Sequence, residues 1–360
     1  MIRTVIIGVG NSTSALVQGL YYYKTIESNN DKTDNYGLWH PLVGNYKISD
    51  IEIVGAYDID KNKIGVELTK SIFSNSNKLK KFIDLTPPSD IVVESAILHD
   101  PLNENLQSSI EISNNQKYNH LSDDEFHNSL EKKNPDIVVN MISSGLHKTS
   151  EKYAEISMNV GSNFINATPT NIATNERFVK NFKDKKLIIA GDDLMSQFGG
   201  TAFHKGIMNL MHERGIHINK SYQLDVGGGI ETNNTIDENL RALKRAVKSN
   251  TIKSELPYDV QTVSGTTDYV DFMGNSRTNY FWIEGDSFLG SKIRFDIYLR
   301  STDGPNAGGL LFDIIRGIQY SQDMNEYGNI QELSNFGFKS TLTKNELRQS
   351  YQNFSKKYVL

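Results

Sequence analysis

Short apolar runs alternate with longer amphipathic stretches over the first half of the chain. Residues 4–7 (TVII) are apolar or β-branched without interruption, the mark of a strand buried on both faces of a parallel sheet. Residues 15–23 read as a helix, 28–47 as a polar loop insertion rich in Asn, Asp and Gly, 51–57 as a second strand ending at Asp58, and 61–71 as another helix. A stretch rich in Asn, Ser, Glu and Lys at 101–134 reads as a surface excursion with some helix. The alternation resumes with strand 136–142 (DIVVNMI), helix 148–160, strand 163–167, a helix near 176–182 and strand 186–190. Strands separated by helices predict a doubly wound parallel sheet in an α/β domain.

After Asp193 the pattern changes. A helix at 201–214 leads into strand-like runs at 221–226, 259–263, 280–284 and 292–300, with one helix at 236–248 between them. This predicts a second, α+β domain built on a mostly antiparallel sheet. Residues 306–320 are again helical, and the last forty are polar and weakly patterned. At 360 residues the chain exceeds one compact core. The expected division is 1–196 plus 305–360 against 197–304. A net charge of −5 with no basic stripe argues against a nucleic-acid partner. Without cysteine there is no disulfide, thiolate metal site or Cys nucleophile. No apolar run approaches the ~20 residues of a membrane span. The segment before Gly8 is too short for a signal sequence, so a cytoplasmic location is expected.

Strand 4–7 runs into Gly8-Val9-Gly10-Asn11-Ser12-Thr13-Ser14 and then a helix. That is the context of a Rossmann-like dinucleotide fingerprint. Gly8 permits the tight turn, Gly10 lets backbone approach a pyrophosphate at the helix N-terminus, and Ser14 replaces the third glycine. Asp58 stands where an acid hydrogen-bonds ribose hydroxyls, displaced from its usual spacing by the 28–47 insertion. An acid there favours NAD over NADP. The plainer alternatives are glycines serving only as turns and a solvated Asp58. Lys244 and Lys248, spaced i,i+4, share a helix face; with Arg241 and Arg245 nearby, a solvated basic face is the competing reading. Ser196 could be a helix N-cap, and Asp303 a turn residue before Gly304-Pro305. The eight histidines show no metal spacing, and His204 and His212 read as one packed helix face. With no serine elbow at Gly8-Val9-Gly10 either, a His-based hydrolase is disfavoured.

These residues fall in an ordered series: Gly8-Val9-Gly10-Asn11, Leu16-Val17-Gln18-Gly19, Tyr21-Tyr22-Tyr23-Lys24, Asn166-Ala167-Thr168-Pro169, Gly191-Asp192-Asp193, Ser196-Gln197, Tyr222-Gln223-Leu224 with Gly227-Gly228, Asp268-Tyr269-Val270, Glu284-Gly285 and Asp303-Gly304-Pro305-Asn306-Ala307-Gly308. The series, spanning Gly8 to about Ser340, resembles the myo-inositol-phosphate synthase family, especially its shorter bacterial and archaeal forms. The resemblance implies a tightly bound NAD and cyclisation of glucose 6-phosphate to inositol phosphate. The steps implied are oxidation at C5, loss of the C6 proton, closure of the enolate on C1, and return of the hydride. It implies catalytic roles for Lys244, Lys248, Lys339 and Arg277. Cofactor contacts fall to Gly8, Gly10, Asn11, Ser12, Asp58, Ser143, Thr168, Asp192 and Asp303, and substrate contacts to Ser196, Gln197, Glu231 and Asn234. It also implies a homotetramer formed through the second sheet, and leaves room for a divalent cation whose ligands are not assigned. A buried Lys244 is expected to have a lowered pKa suited to proton transfer.

Several positions depart from the family pattern. Asn275-Ser276-Arg277 replaces Asp-x-Lys, and an arginine keeps charge but does not give up its proton. Met195 replaces a common Lys, Gly229 an Asn, Glu231 an Asp and Gln319 a Lys. The prolines that usually follow Lys339-Ser340 are replaced by Thr341 and Leu342. Two alternatives therefore stand beside the synthase: an NAD-dependent enzyme acting on another sugar or cyclitol phosphate, and a catalytically silent NAD-binding protein.

Overall fold

Val5, Ile6 and Ile7 lose all contact with solvent because β1 (Ile2–Ile7) lies inside a seven-stranded sheet, paired on both edges. The structure, a computed structural model, describes residues 1–28, 37–112, 120–344 and 346–359. Its first half runs β1, α1 (Asn11–Ser28), β2 (Ile51–Asp58), α2 (Leu68–Ser71), β3 (Val93–Ser95), α3 (Glu104–Ser109), α4 (Asp123–Lys133), β4 (Ile137–Asn140), α5 (His147–Asn159), β5 (Asn163–Asn166), α6 (Glu176–Asp184) and β6 (Ile188–Ala190). A late strand, β11 (Gly328–Asn329), completes the order β11-β6-β5-β4-β1-β2-β3, with every pair parallel. Strand order reverses between β1 and β4, the crevice where such sheets bind ligands.

Helices cover both faces of this sheet. Leu16 and Leu20 of α1 pack with Leu311, Ile314, Ile315 and Ile318 of α10 (Asp303–Asp323) on one side. Phe126 and Leu130 of α4, Tyr153 of α5, and Phe178 and Phe182 of α6 fill the other. Of the 101–134 stretch, 113–119 lie outside the described residues; the rest carries the helix expected there, and part of it is core and not surface. Its α4 is closed by a Ser122/Glu125 capping box and delivers two fully buried side chains to the core. The expected 61–71 helix shrinks to the four residues of α2. Asp58 and Asp60 accept backbone N–H groups and tie the preceding residues into turns instead. Within the 28–47 insertion, residues 29–36 lie outside the described residues; His40 and Val43 beyond them are buried. The weakly patterned tail forms α11 (Gln331–Gly337) and α12 (Leu347–Tyr358), which bury Leu333, Phe336, Phe354 and Tyr358.

The second sheet has the order β10-β9-β7-β8, from β7 (His217–Gly227), β8 (Gln261–Tyr269), β9 (Ser276–Asp286) and β10 (Lys292–Thr302). Two of its pairings are antiparallel, and β7–β8 is parallel. Helices α7 (Gly200–Glu213), α8 (Ile230–Asn234) and α9 (Glu238–Lys253) complete this part. Met208 and Met211 of α7 and Ile252 of α9 pack with Ile218 and Ile283 on the inner side of the sheet. Farther along the same face the buried residues turn polar: Ser221, Gln223 and Asp225 on β7, and Asn279 on β9.

Candidate active site

The β1 turn needs its glycine. Gly8 has φ +94°, and a Cβ there would lie 2.7 Å from the Met141 carbonyl oxygen just beyond β4. At Gly10 a Cβ would meet nothing within 4 Å, so the space above the backbone is open. Asp58 binds this turn to the end of β2: its carboxylate accepts the Val9 N–H at 2.7 Å and the Asp60 N–H at 2.8 Å. The Asn11 side-chain carbonyl accepts the N–H groups of Lys78 and Leu79, at 2.8 and 2.9 Å, and fastens the turn to the segment beyond α2. Gly8, Gly10, Asn11, Ser12, Asp58, Ser143 and Thr168 all line one cavity of about 310 Å³.

The polar end of the second sheet lines the same cavity together with α8, α9, the start of α10 and the segments at 193 and 339, and there four cations each meet a carboxylate. Lys244 donates to Glu231 at 2.5 Å and to the Ser144 hydroxyl at 3.0 Å. Lys248 donates to Asp225 at 2.5 Å. The Arg277 Nε reaches both oxygens of Asp303, at 2.9 and 2.7 Å. Lys339 donates to Asp193 at 2.7 Å. All eight charged side chains line the same cavity as the glycine turn. Lys339 comes from the far end of the sequence, carried in by backbone hydrogen bonds between 192–195 and 337–340.

Burial and charge set these groups apart. Burial pulls the Lys244 ammonium down, but Glu231 and Asp193 outweigh it and hold its pKa above the ordinary lysine value. The expected lowering at Lys244 is therefore corrected. It occurs at Lys339, where burial dominates, Asp193 only partly opposes it, and Lys248 and Lys244 add repulsion. Burial would raise Asp193, yet Lys339, Lys244 and Lys248 bring its carboxyl below the ordinary value. Arg277 is held above its ordinary value by Asp303 and Asp225 against the effect of burial.

Three expected contacts fall elsewhere. Asp192 does not line the cavity; its carboxylate accepts the N–H groups of Ile172, Ala173 and Thr174 and holds the loop after β5. Burial, partly countered by those bonds, pushes its pKa up to about 6. Gln197 turns away and donates to the Gly37 carbonyl. Asn234 lines a neighbouring pocket and donates to the Ser144 carbonyl. Ser196, Glu231 and Asp303 do line the cavity. Asp225 and Asn279, not singled out from the sequence, also line the cavity; the signal for them is a strand whose buried alternation is polar. Met195 is buried but off the cavity, Gln319 pairs with Asp323 at the surface, and Gly229 stands on the cavity wall. No group of three or more His, Asp or Glu side chains among the described residues is arranged to hold a metal ion. No described helix is long and apolar enough to cross a membrane.

A Rossmann-like sheet whose strand-order reversal opens onto a cluster of paired lysines defines the class of this molecule. Residues 199–304 match the family model described as myo-inositol-1-phosphate synthase. The chain is 30% identical over 346 residues to the inositol-3-phosphate synthase of Mycolicibacterium smegmatis, covering 94% of this chain and 93% of that protein. It is 29% identical over 348 residues to the inositol-3-phosphate synthase of Corynebacterium glutamicum, covering 94% and 93%. Its fold is shared with a myo-inositol-1-phosphate synthase-related protein from Thermotoga maritima, at TM-score 0.82 and 24% identity over 99% of this chain and 98% of that one. It is also shared with inositol-3-phosphate synthase from Caenorhabditis elegans, at TM-score 0.76 and 14% identity over 99% and 84%. The chain belongs to the inositol-phosphate synthase family.

Proposed function

We propose that this protein is an NAD-dependent inositol-3-phosphate synthase, an isomerase that closes D-glucose 6-phosphate into inositol phosphate. The observation that carries the reading is the sharing of one cavity by the Gly8–Gly10 turn, Asp58 and four paired cations. The residues fit a dinucleotide: Gly10 leaves open space for a pyrophosphate, α1 presents its N-terminus there, and Asp58 lines the same cavity at the end of β2, where an acid can meet ribose hydroxyls. Bound NAD would supply the reversible hydride acceptor that both the oxidation and the closing reduction need. Ser196 and the N-terminus of α7, whose N-cap is Gly199 with no side-chain cap, offer donors to the substrate phosphate.

Division of labour among the cations follows from their surroundings. Lys339, with its lowered pKa, is the residue suited to take the C6 proton and hand it on. Lys244 stays an ammonium and stabilises the oxygen on which negative charge develops. Arg277, fixed by Asp303, contributes charge without proton exchange. The test is to incubate purified protein with glucose 6-phosphate and NAD and measure inositol phosphate. Product without net NADH supports the reading, and stoichiometric NADH identifies a dehydrogenase instead. Arg277, together with the space left at Gly229, favours one second reading, a different sugar or cyclitol phosphate in the same site. NAD binding with no glucose 6-phosphate turnover would point there.

A further inference from the structure

We infer that Gln223 and Asn279 are positioning residues that fix the Asp225 carboxylate, and through it the ammonium of Lys248, in the reaction cavity; this rests on the reading that the cavity is the catalytic site. Asp225 is fully buried and uses its two oxygens differently. Oδ1 accepts from the side-chain amides of Gln223, at 2.7 Å, and Asn279, at 2.5 Å. Oδ2 accepts from Lys248 at 2.5 Å and lies 3.8 Å from Arg277. The neutral donors hold one oxygen still, and the cations share the other. Hydrogen bonds to a carboxylate are among the stronger ones in a protein, and here they act where water is excluded.

Three observations mark this cradle as built for the carboxylate. The Asn279 carbonyl oxygen is buried with no hydrogen-bond partner, so its amide is turned toward Asp225 at the expense of its other end. The Gln223 carbonyl, in turn, meets His204 Nδ1 at 3.3 Å, which orients the Gln223 N–H groups toward Asp225. Burial lowers the His204 pKa to about 4, so the ring is neutral and donates through Nδ1. Finally, α7 begins with glycine where a Cβ would collide with the Gln223 amide nitrogen and stand 2.9 Å from that of Asn279. The chain His204–Gln223–Asp225–Lys248 thus runs from α7 through β7 to α9. The charged groups facing Asp225 are Lys248 from α9 and Arg277 from β9.

The experiment uses the full chain carrying Gln223→Met, Gln223→Glu or Asn279→Ser, with two readouts. The first is the pH profile of kcat and KM on glucose 6-phosphate with NAD. The second, made without substrate, is the rate at which an amine-reactive reagent labels Lys248, read by peptide mass spectrometry. Gln223→Met and Asn279→Ser should lower kcat about tenfold with KM within about twofold, the scale of a lost hydrogen bond to a charge. Both should label Lys248 several-fold faster while leaving buried Lys205 unchanged. Gln223→Glu should keep activity while its carboxyl, raised by burial beside Asp225, stays protonated and donates, and should lose it as pH rises. Normal Lys248 labelling and kcat in a folded variant would overturn the assignment, as would faster labelling of Lys205 to the same degree. If the unmodified protein makes no inositol phosphate, the synthase reading fails and the labelling alone decides this one.

Discussion

Lys244 and Lys339 carry the same side chain into the same cavity, yet their surroundings drive their proton affinities apart. Lys244 has two carboxylates close by, Glu231 and Asp193; Lys339 has Asp193 and two repelling ammonium groups. A neutral amine at Lys339 should be needed for proton abstraction. Because its pKa lies below the ordinary lysine value, kcat should rise with pH through a limb below 10.5. Lys339→Arg should remove that limb and lower kcat by about 10²-fold or more, the range of a lost general base. Lys244→Gln should lower kcat by about 10²–10³-fold at every pH, the loss seen when one oxyanion donor is removed. Steady-state pH profiles of the two variants distinguish the roles. His204 makes a stability prediction. Its folded pKa of about 4 lies below the ordinary 6.5, so between those values the unfolded chain binds a proton that the folded chain refuses. Stability should therefore fall as pH drops from 6.5 toward 4, by about 3 kcal/mol. Urea denaturation at pH 7 and pH 4.5 should show this loss, and His204→Gln should flatten it.

At the scale of elements, the first βα turn and the tail illustrate two kinds of local dictate. The turn is dictated by backbone geometry: Gly8 combines a positive φ with contact against the end of β4. Gly8→Ala should destabilise the protein by at least ~1 kcal/mol and abolish NAD-induced thermal stabilisation. A melting curve with and without NAD checks both, and an unchanged NAD shift would remove this turn from the cofactor site. The tail is dictated by packing. Helix α12 is mostly polar, and its apolar anchors Phe354 and Tyr358 are too few to stand out by periodicity. They gain meaning only from Phe336, which stacks on Phe354 with ring centroids 3.9 Å apart.

Over the molecule as a unit, the second sheet is unusual at one end: polar inside near the site and aromatic outside, between charged residues such as Arg294 and Asp296. Its inner face near the site is polar, while its outer face carries Tyr222, Leu224, Tyr280, Trp282, Val263 and Tyr298, the last 72% exposed. Tyr222 stacks on Trp282 at 5.5 Å, and Tyr280 lies 4.9 Å from Tyr298, making a continuous aromatic surface. We predict that this patch is an association surface; the homotetramer is what the family resemblance implies, and this is the face through which we predict it to form. Light scattering should report the mass of four chains, and Leu224→Lys with Val263→Lys should reduce it; an unmodified chain that runs as a monomer would sink the expectation.

Strand–helix alternation, the need for glycine at Gly8 and the acid at Asp58 were legible along the sequence because each is a local requirement. A buried strand needs an apolar run, a positive φ favours glycine, and the end of β2 lies one crossover from β1. That Lys244 and Lys248 would face a common site was expected only through resemblance, since an i,i+4 pair alone does not distinguish a solvated face from one that lines a cavity. Which carboxylate meets which cation was left to the packing of distant segments. The β7–β9 pairing sets Asn279 and Arg277 beside Asp225, and the returning tail sets Lys339 on Asp193, across separations that no local pattern encodes. Their proton affinities follow from that meeting, because burial and neighbouring charge act through distance in space and not along the chain.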